Sequence, residues 1–144
     1  MEPTGHHPRL SQVVLDTTDA RGLAEFYRGL LGWQYRPGDE PPAGGADDPR
    51  GREWLVLRHP DGGVGVAFQQ VEHLAPSTWP EDAIPQQLHL DCTVGDRHEL
   101  DSAHELALGL GARLLLDRAD DPEEALRVYA DPAGHPFCIF VAAG

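Results

Sequence analysis

His89 and Asp91 stand two residues apart in Gln87-Leu88-His89-Leu90-Asp91-Cys92-Thr93, a stretch that alternates polar and apolar side chains. Successive side chains of an extended strand point to opposite faces, so this imidazole and this carboxylate share one face. A histidine beside a carboxylate is a candidate acid/base pair for proton transfer. The same pair can also act without chemistry, as a hydrogen-bonded feature that keeps a cavity or a subunit seam in shape. Cys138 is a candidate nucleophile if His89 lowers its pKa. Its place between Phe137 and Ile139 favours an inert thiol. Trp54, Phe68, Trp79 and Phe140 could line an aromatic ligand pocket or simply fill the core. No Ser/His/Asp triad, phosphate-cradling glycine loop or basic–aromatic patch is visible.

The elements that must position these residues come from an internal repeat. Leu10 to Asp19 superposes on Gln87 to Asp96 at a constant offset of 77, which sets Gln12 on His89 and Asp19 on Asp96. A period of about half the chain marks a duplicated module. In the first copy the strand Leu10 to Asp16 leads to Asp19 as helix N-cap. The helix spans about Ala20 to Leu31, with Leu23, Phe26, Tyr27, Leu30 and Leu31 on its apolar face, and Gly32 ends it as a left-handed cap. Trp33 to Tyr35 starts a strand, residues 37–51 form a long irregular loop, and Glu53 to Arg58 and Val64 to Gln70 form a hairpin. In the second copy Leu88 to Thr93 is a strand. Asp96 caps a helix running to about Leu110, with Leu100, Ala103, Leu106, Ala107 and Leu110 inward. Strands follow at Ala112 to Leu116, Leu126 to Ala130 and Pro136 to Ala142, with an acidic, solvated loop at Asp117 to Ala125. The order is βαβββ twice. The expected divisions are a flexible N-terminus at 1–9, a first module at 10–70, a linker at 71–85 tied down by Trp79, and a second module at 86–144. Together they make one compact domain.

Composition bounds the partners. The chain has 144 residues, 11 basic residues against 24 acidic ones, and a net charge of −13. Such a field repels nucleic acid and anionic membrane, so neither is an expected partner. It suits a cationic ligand, or it is only a solubilising surface. No apolar run approaches the roughly 20 residues of a membrane span, and no signal peptide is visible, so a cytoplasmic location is the expectation. The two cysteines are far apart and lack zinc spacing, which predicts reduced, buried thiols. His6-His7 is at most a weak metal-binding pair.

Several segments carry a resemblance. They are the His89-Leu90-Asp91 strand with Asp96, the helix ends Leu30-Leu31-Gly32-Trp33 and Leu110-Gly111-Ala112, and the turn Asp131-Pro132-Ala133-Gly134. The chain resembles the vicinal oxygen chelate superfamily of glyoxalases, bleomycin-resistance proteins and extradiol dioxygenases over residues 10 to 142, and within it the glyoxalase-like domain proteins. The resemblance implies an α+β fold in which tandem βαβββ modules form a curved, cupped mixed sheet with helices outside. It also implies four concave metal-ligand positions, which fall here on Gln12, Val66, His89 and Cys138. Only His89 is a good donor for a hard or borderline ion, so the metal set reads as degraded and no cofactor is expected. Alternation with the turn alignment, which pairs Val66 with Cys138 and Phe68 with Phe140, predicts a ligand site of Gln12, Val14, Val66, Phe68, His89, Asp91, Cys138 and Phe140. The expected function is metal-free binding of a small, aromatic or cationic molecule by a homodimer. The alternative is a divalent-metal-dependent lyase, isomerase or dioxygenase, and a third option is a regulatory domain whose cavity its own side chains fill.

Overall fold

Asp19 accepts a hydrogen bond from the Gly22 amide and opens helix α1 (Ala20–Leu31), which Gly32 closes at φ 69°. Both caps lie where the sequence predicts them. The computed structural model describes residues 6–142. Of the expected N-terminal tail, residues 1–5 lie outside the described residues, as do residues 143–144. Around α1 the first module carries β1 (Gln12–Thr17), β2 (Gln34–Tyr35), β3 (Trp54–Arg58) and β4 (Gly65–Gln70). The second repeats the order with β5 (Leu90–Val94), α2 (Arg97–Gly109), β6 (Arg113–Arg118), β7 (Leu126–Ala130) and β8 (Pro136–Val141).

Each module folds into a mixed four-stranded sheet, ordered β1-β4-β3-β2 and β5-β8-β7-β6. The first and last strands of each module pair in parallel, and the other neighbours pair antiparallel. In β8, Phe137 and Ile139 join the core while Cys138 and Phe140 turn to the opposite, concave face. The α+β class and the duplicated order follow the sequence reading.

The register of β4 does not. Val13 pairs with Val66 and Leu90 pairs with Phe137, so β4 maps onto β8 at an offset of 71, one less than the turns suggest. The β3–β4 loop covers residues 59–64 and the β7–β8 loop covers 131–135, one residue fewer. A one-residue slip exchanges the two faces of a strand. Val66 and Phe68 therefore enter the core, and Gly65, Ala67 and Gln69 take the concave face. Leu88 also departs from expectation. It precedes β5 and is 44% exposed, leaving Leu90 and Cys92 to pack on the core. In α2, Leu100 and Ala107 are buried as expected, whereas Leu106 faces outward.

One core joins the modules. The Tyr27 ring on α1 stacks on Phe68 of the first sheet at 5.8 Å and meets Phe137 of the second edge-on at 6.1 Å. Its hydroxyl donates to Asp131 Oδ2 at 2.6 Å, a buried contact across 104 residues of sequence. The irregular loop 37–51 is pinned from inside. Fully buried Asp39 accepts from the Val56 amide, from Arg36 and from Arg50, while Arg21 clamps Asp48 through two nitrogens. In the linker, Ile84 and Thr78 exchange hydrogen bonds that close residues 78–84 into a loop.

Candidate functional site

A cleft of about 360 Å³ opens on the concave face of the second sheet. Its floor is apolar: Leu116 from β6, Leu126 and Val128 from β7, and Pro136, Cys138 and Phe140 from β8. Trp79 from the linker and Gln86 just after it form one wall, and His89, Asp91, Arg118 and Glu124 supply the polar rim. His89 Nε2 lies 3.2 Å from Asp91 Oδ1, with both side chains about half exposed. The pair that alternation places on one face is thus assembled and open to a ligand.

Cys138 lies in the same cleft but is not poised as a nucleophile. Burial, with the negative charge of Asp91 adding to it, pushes its thiol up to about 11. Cys92, packed against the core, is likewise raised to about 11 by burial. A thiol with such a pKa carries almost no thiolate near neutrality, so the inert reading fits both cysteines.

Of the eight residues expected to form one site, the structure brings together His89, Asp91, Cys138 and Phe140. Gln12 lies in a separate cleft over the first sheet, and Val14 in a groove with Leu88 and the linker residues Leu74 and Ala75. Val66 and Phe68 belong to the core, for the register reason given above. Among the four aromatics, Trp79 and Phe140 share the cleft, Phe68 packs on Tyr27, and Trp54 lies half-buried on β3 outside it. Sequence reasoning missed Leu116, Arg118, Leu126 and Val128. Their period-2 spacing within β6 and β7 is the signal that could have found them.

The metal positions implied by the resemblance can now be tested against side chains. With the corrected register β4 offers Gly65 or Ala67 where Val66 was expected, and neither can donate to an ion. Gln12 is a weak neutral donor, and the Cys138 thiol would have to lose a proton held at about 11. Among the described residues, no group of three or more His, Cys, Asp or Glu side chains is placed to hold a metal ion. The residues present do not fit one.

Two tandem βαβββ units, each with a concave mixed sheet, define a protein of the vicinal oxygen chelate class. The chain belongs to the glyoxalase-like domain family, whose sequence model matches residues 12–140. Among solved structures it is similar to a glyoxalase/bleomycin resistance protein/dioxygenase family enzyme from Burkholderia phytofirmans. That similarity has 17% identity and a TM-score of 0.68, over 94% of this chain and all of the other. The fosfomycin resistance protein FosX from Mesorhizobium loti matches at 16% identity and TM-score 0.65, over 96% and 95% of the two chains. A glyoxalase-related enzyme from Fulvimarina pelagi matches at 18% and 0.62, over 94% and 89%. At these identities the likeness is one of fold. No curated protein matches the sequence. No helix among the described residues is long and apolar enough to cross a membrane.

Proposed function

We propose that this glyoxalase/bleomycin-resistance-like protein binds a small molecule in the cleft over its second sheet, without a catalytic metal. The observation that carries the reading is the composition of that cleft: an apolar floor, two aromatic residues and a few convergent polar groups. Ligand pockets of this size are commonly built that way. Phe140 and Trp79 offer faces for a planar ligand, and His89 with Asp91 would fix its orientation. The Asp91 and Glu124 carboxylates favour hydrogen-bond donors or a cationic group on the ligand. A homodimer in the cytoplasm remains the working expectation for the assembled protein.

Screening small planar molecules by thermal shift tests this, because a ligand that binds only the folded state raises apparent stability. For a hit, Phe140→Ala should weaken binding about tenfold or less through lost stacking, with lost contact area adding to that. A library without hits, or a hit that binds Phe140→Ala unchanged, would remove the reading. Metal analysis of the purified protein tests the alternative enzyme. Zinc, nickel or iron at about one per chain, lost in His89→Ala, would establish a metal-dependent lyase, isomerase or dioxygenase instead.

A further inference from the structure

We propose that the first sheet carries a second, independent site that takes a small oxyanion, with Arg58 as its principal contact. A cleft of about 440 Å³ lies over the concave face of that sheet, where Gln12, Val56, Arg58 and Gly65 meet the β3–β4 turn. Its lining contains Arg36, Arg58 and His59 and no aspartate or glutamate, in a chain with 24 acidic residues. A neighbouring hollow beside Trp33 and Tyr35 shares Arg58 and His59 and is also free of acids. The cleft over the second sheet differs, since Asp91 and Glu124 stand in its wall.

The arginines sharpen the contrast. Arg21, Arg28, Arg36, Arg50, Arg52, Arg97 and Arg127 each form an ion pair with a carboxylate. With more than two acids for every base, pairing is the ordinary outcome. Arg9, Arg58, Arg113 and Arg118 form no ion pair among the described residues, and of these four only Arg58 lines the cleft over the first sheet, projecting from a fixed strand. Its neighbours on that face are Val56 and, across the register, Gln34.

His59 adds an oriented donor. Its Nδ1 accepts from the Asp61 amide at 3.0 Å, which places the proton of a neutral ring on Nε2. The ring is held edge-on to Trp33 at 4.9 Å. Gly65, beside Gln12, is held to glycine by a close approach of the backbones, because a Cβ there would stand 2.7 Å from the Leu57 carbonyl oxygen. Arg36 is the second cation at the rim, partly neutralised by Asp39 behind it at 3.1 Å. The charged and ring donors of this lining call for a ligand made of acceptors. A guanidinium fork matches a carboxylate or a phosphate through two parallel bonds. The chain's net negative charge does not prevent this. At physiological ionic strength, charges beyond roughly 8 Å are largely screened, while direct contacts are not.

The test is a titration of ¹⁵N-labelled protein with sodium phosphate and, separately, with sodium acetate, at constant ionic strength set by sodium chloride. Saturable shifts confined to Gln12, the Arg58 side chain, His59 and residues 62–65 are expected. Preference for phosphate would identify a tetrahedral ligand, and preference for acetate a planar carboxylate. Arg58→Gln should weaken binding about tenfold or more, Arg36→Gln less, and His89→Ala not at all. That last variant separates this site from the cleft on the second sheet. Linear, non-saturating shifts with both anions, or equal binding by Arg58→Gln with a native-like spectrum, would overturn the proposal.

Discussion

Asp39 shows what a single side chain can do for a loop without regular structure. Its carboxylate has no exposed surface and receives the Val56 amide at 3.0 Å, Arg50 at 2.7 Å and Arg36 at 3.1 Å. Removing one member of a buried ion pair costs roughly 3–5 kcal/mol when the other charge is stranded. Here both arginines reach solvent, at 38% and 58% exposure, so neither is stranded. The smaller figure for hydrogen bonds to a charged group, about 1.5–3 kcal/mol, therefore governs Asp39→Ala. Its expression in a thermal melt is a loss of about 5–12 °C. Asp39→Asn keeps an acceptor for the Val56 amide and should lose less. Equal losses for the two variants would show that volume, and not the acceptor, holds the loop.

At the scale of elements, β4 decides which residues meet the ligand clefts. Gly65 is fixed by a close approach, since any Cβ would press on the backbone of β3, which cannot yield as a flexible side chain would. Gly65→Ala should cost about 1–3 kcal/mol in chemical denaturation, in the range of overpacking. Gly63→Ala meets only the His59 ring at ordinary contact distance and should change stability by less than about 0.5 kcal/mol. The same strand marks the limit of what the sequence discloses. Helix α1 was legible to the residue because a cap, an apolar stripe and a terminal glycine all agree, and the strand β7 lies at the predicted bounds, Leu126–Ala130. β4 was not, because Gly65 to Phe68 is buried on both faces and carries no alternation. Only the turn alignment was left to set its phase, and one extra residue in loop 59–64 defeated it. His89, Asp91, Cys138 and Phe140 come together in one cleft because the strand around Asp91 alternates and β8 pairs with β5 at Asp91–Cys138 and Thr93–Phe140. The floor residues of β6 and β7 were harder to place for another reason. Period-2 spacing picks out one face of each strand, but which cleft that face lines depends on strand pairing set by chain topology and a bulge between Leu114 and Leu116.

Across the whole molecule, the two modules share one core, and their coupling has a pH signature. Tyr27 on α1 binds Asp131 in the β7–β8 turn, so the contact exists only when both modules are folded. Burial raises the Asp131 carboxyl above its ordinary value, while the Tyr27 hydroxyl and the amides of Ala133 and His135 work against that rise. Other carboxylates shift the other way. Glu25 is held down first by Arg28, Asp48 by Arg21, and Asp117 by the Ala119 amide with Arg127 adding to it. A group with a depressed folded pKa contributes stability above its unfolded value and loses it as pH falls through the folded one. A group with a raised folded pKa does the reverse, stabilising below its unfolded value and losing that as pH rises through the folded one. With Asp47 held down by Arg52 and Asp101 by Arg97 as well, five lowered carboxylates against one raised one predict a net loss of stability as pH falls through and below the ordinary range near 4. Asp131→Asn removes the opposing contribution, so its acid limb should be steeper than that of the parent chain. Tyr27→Phe acts oppositely, because Asp131 without that hydroxyl is raised further and its native state takes up protons more readily. Denaturant melts at closely spaced pH values between about 3 and 6 would read both limbs. A steeper acid limb in Tyr27→Phe, or a shallower one in Asp131→Asn, would show that the contact between the modules does not carry this dependence.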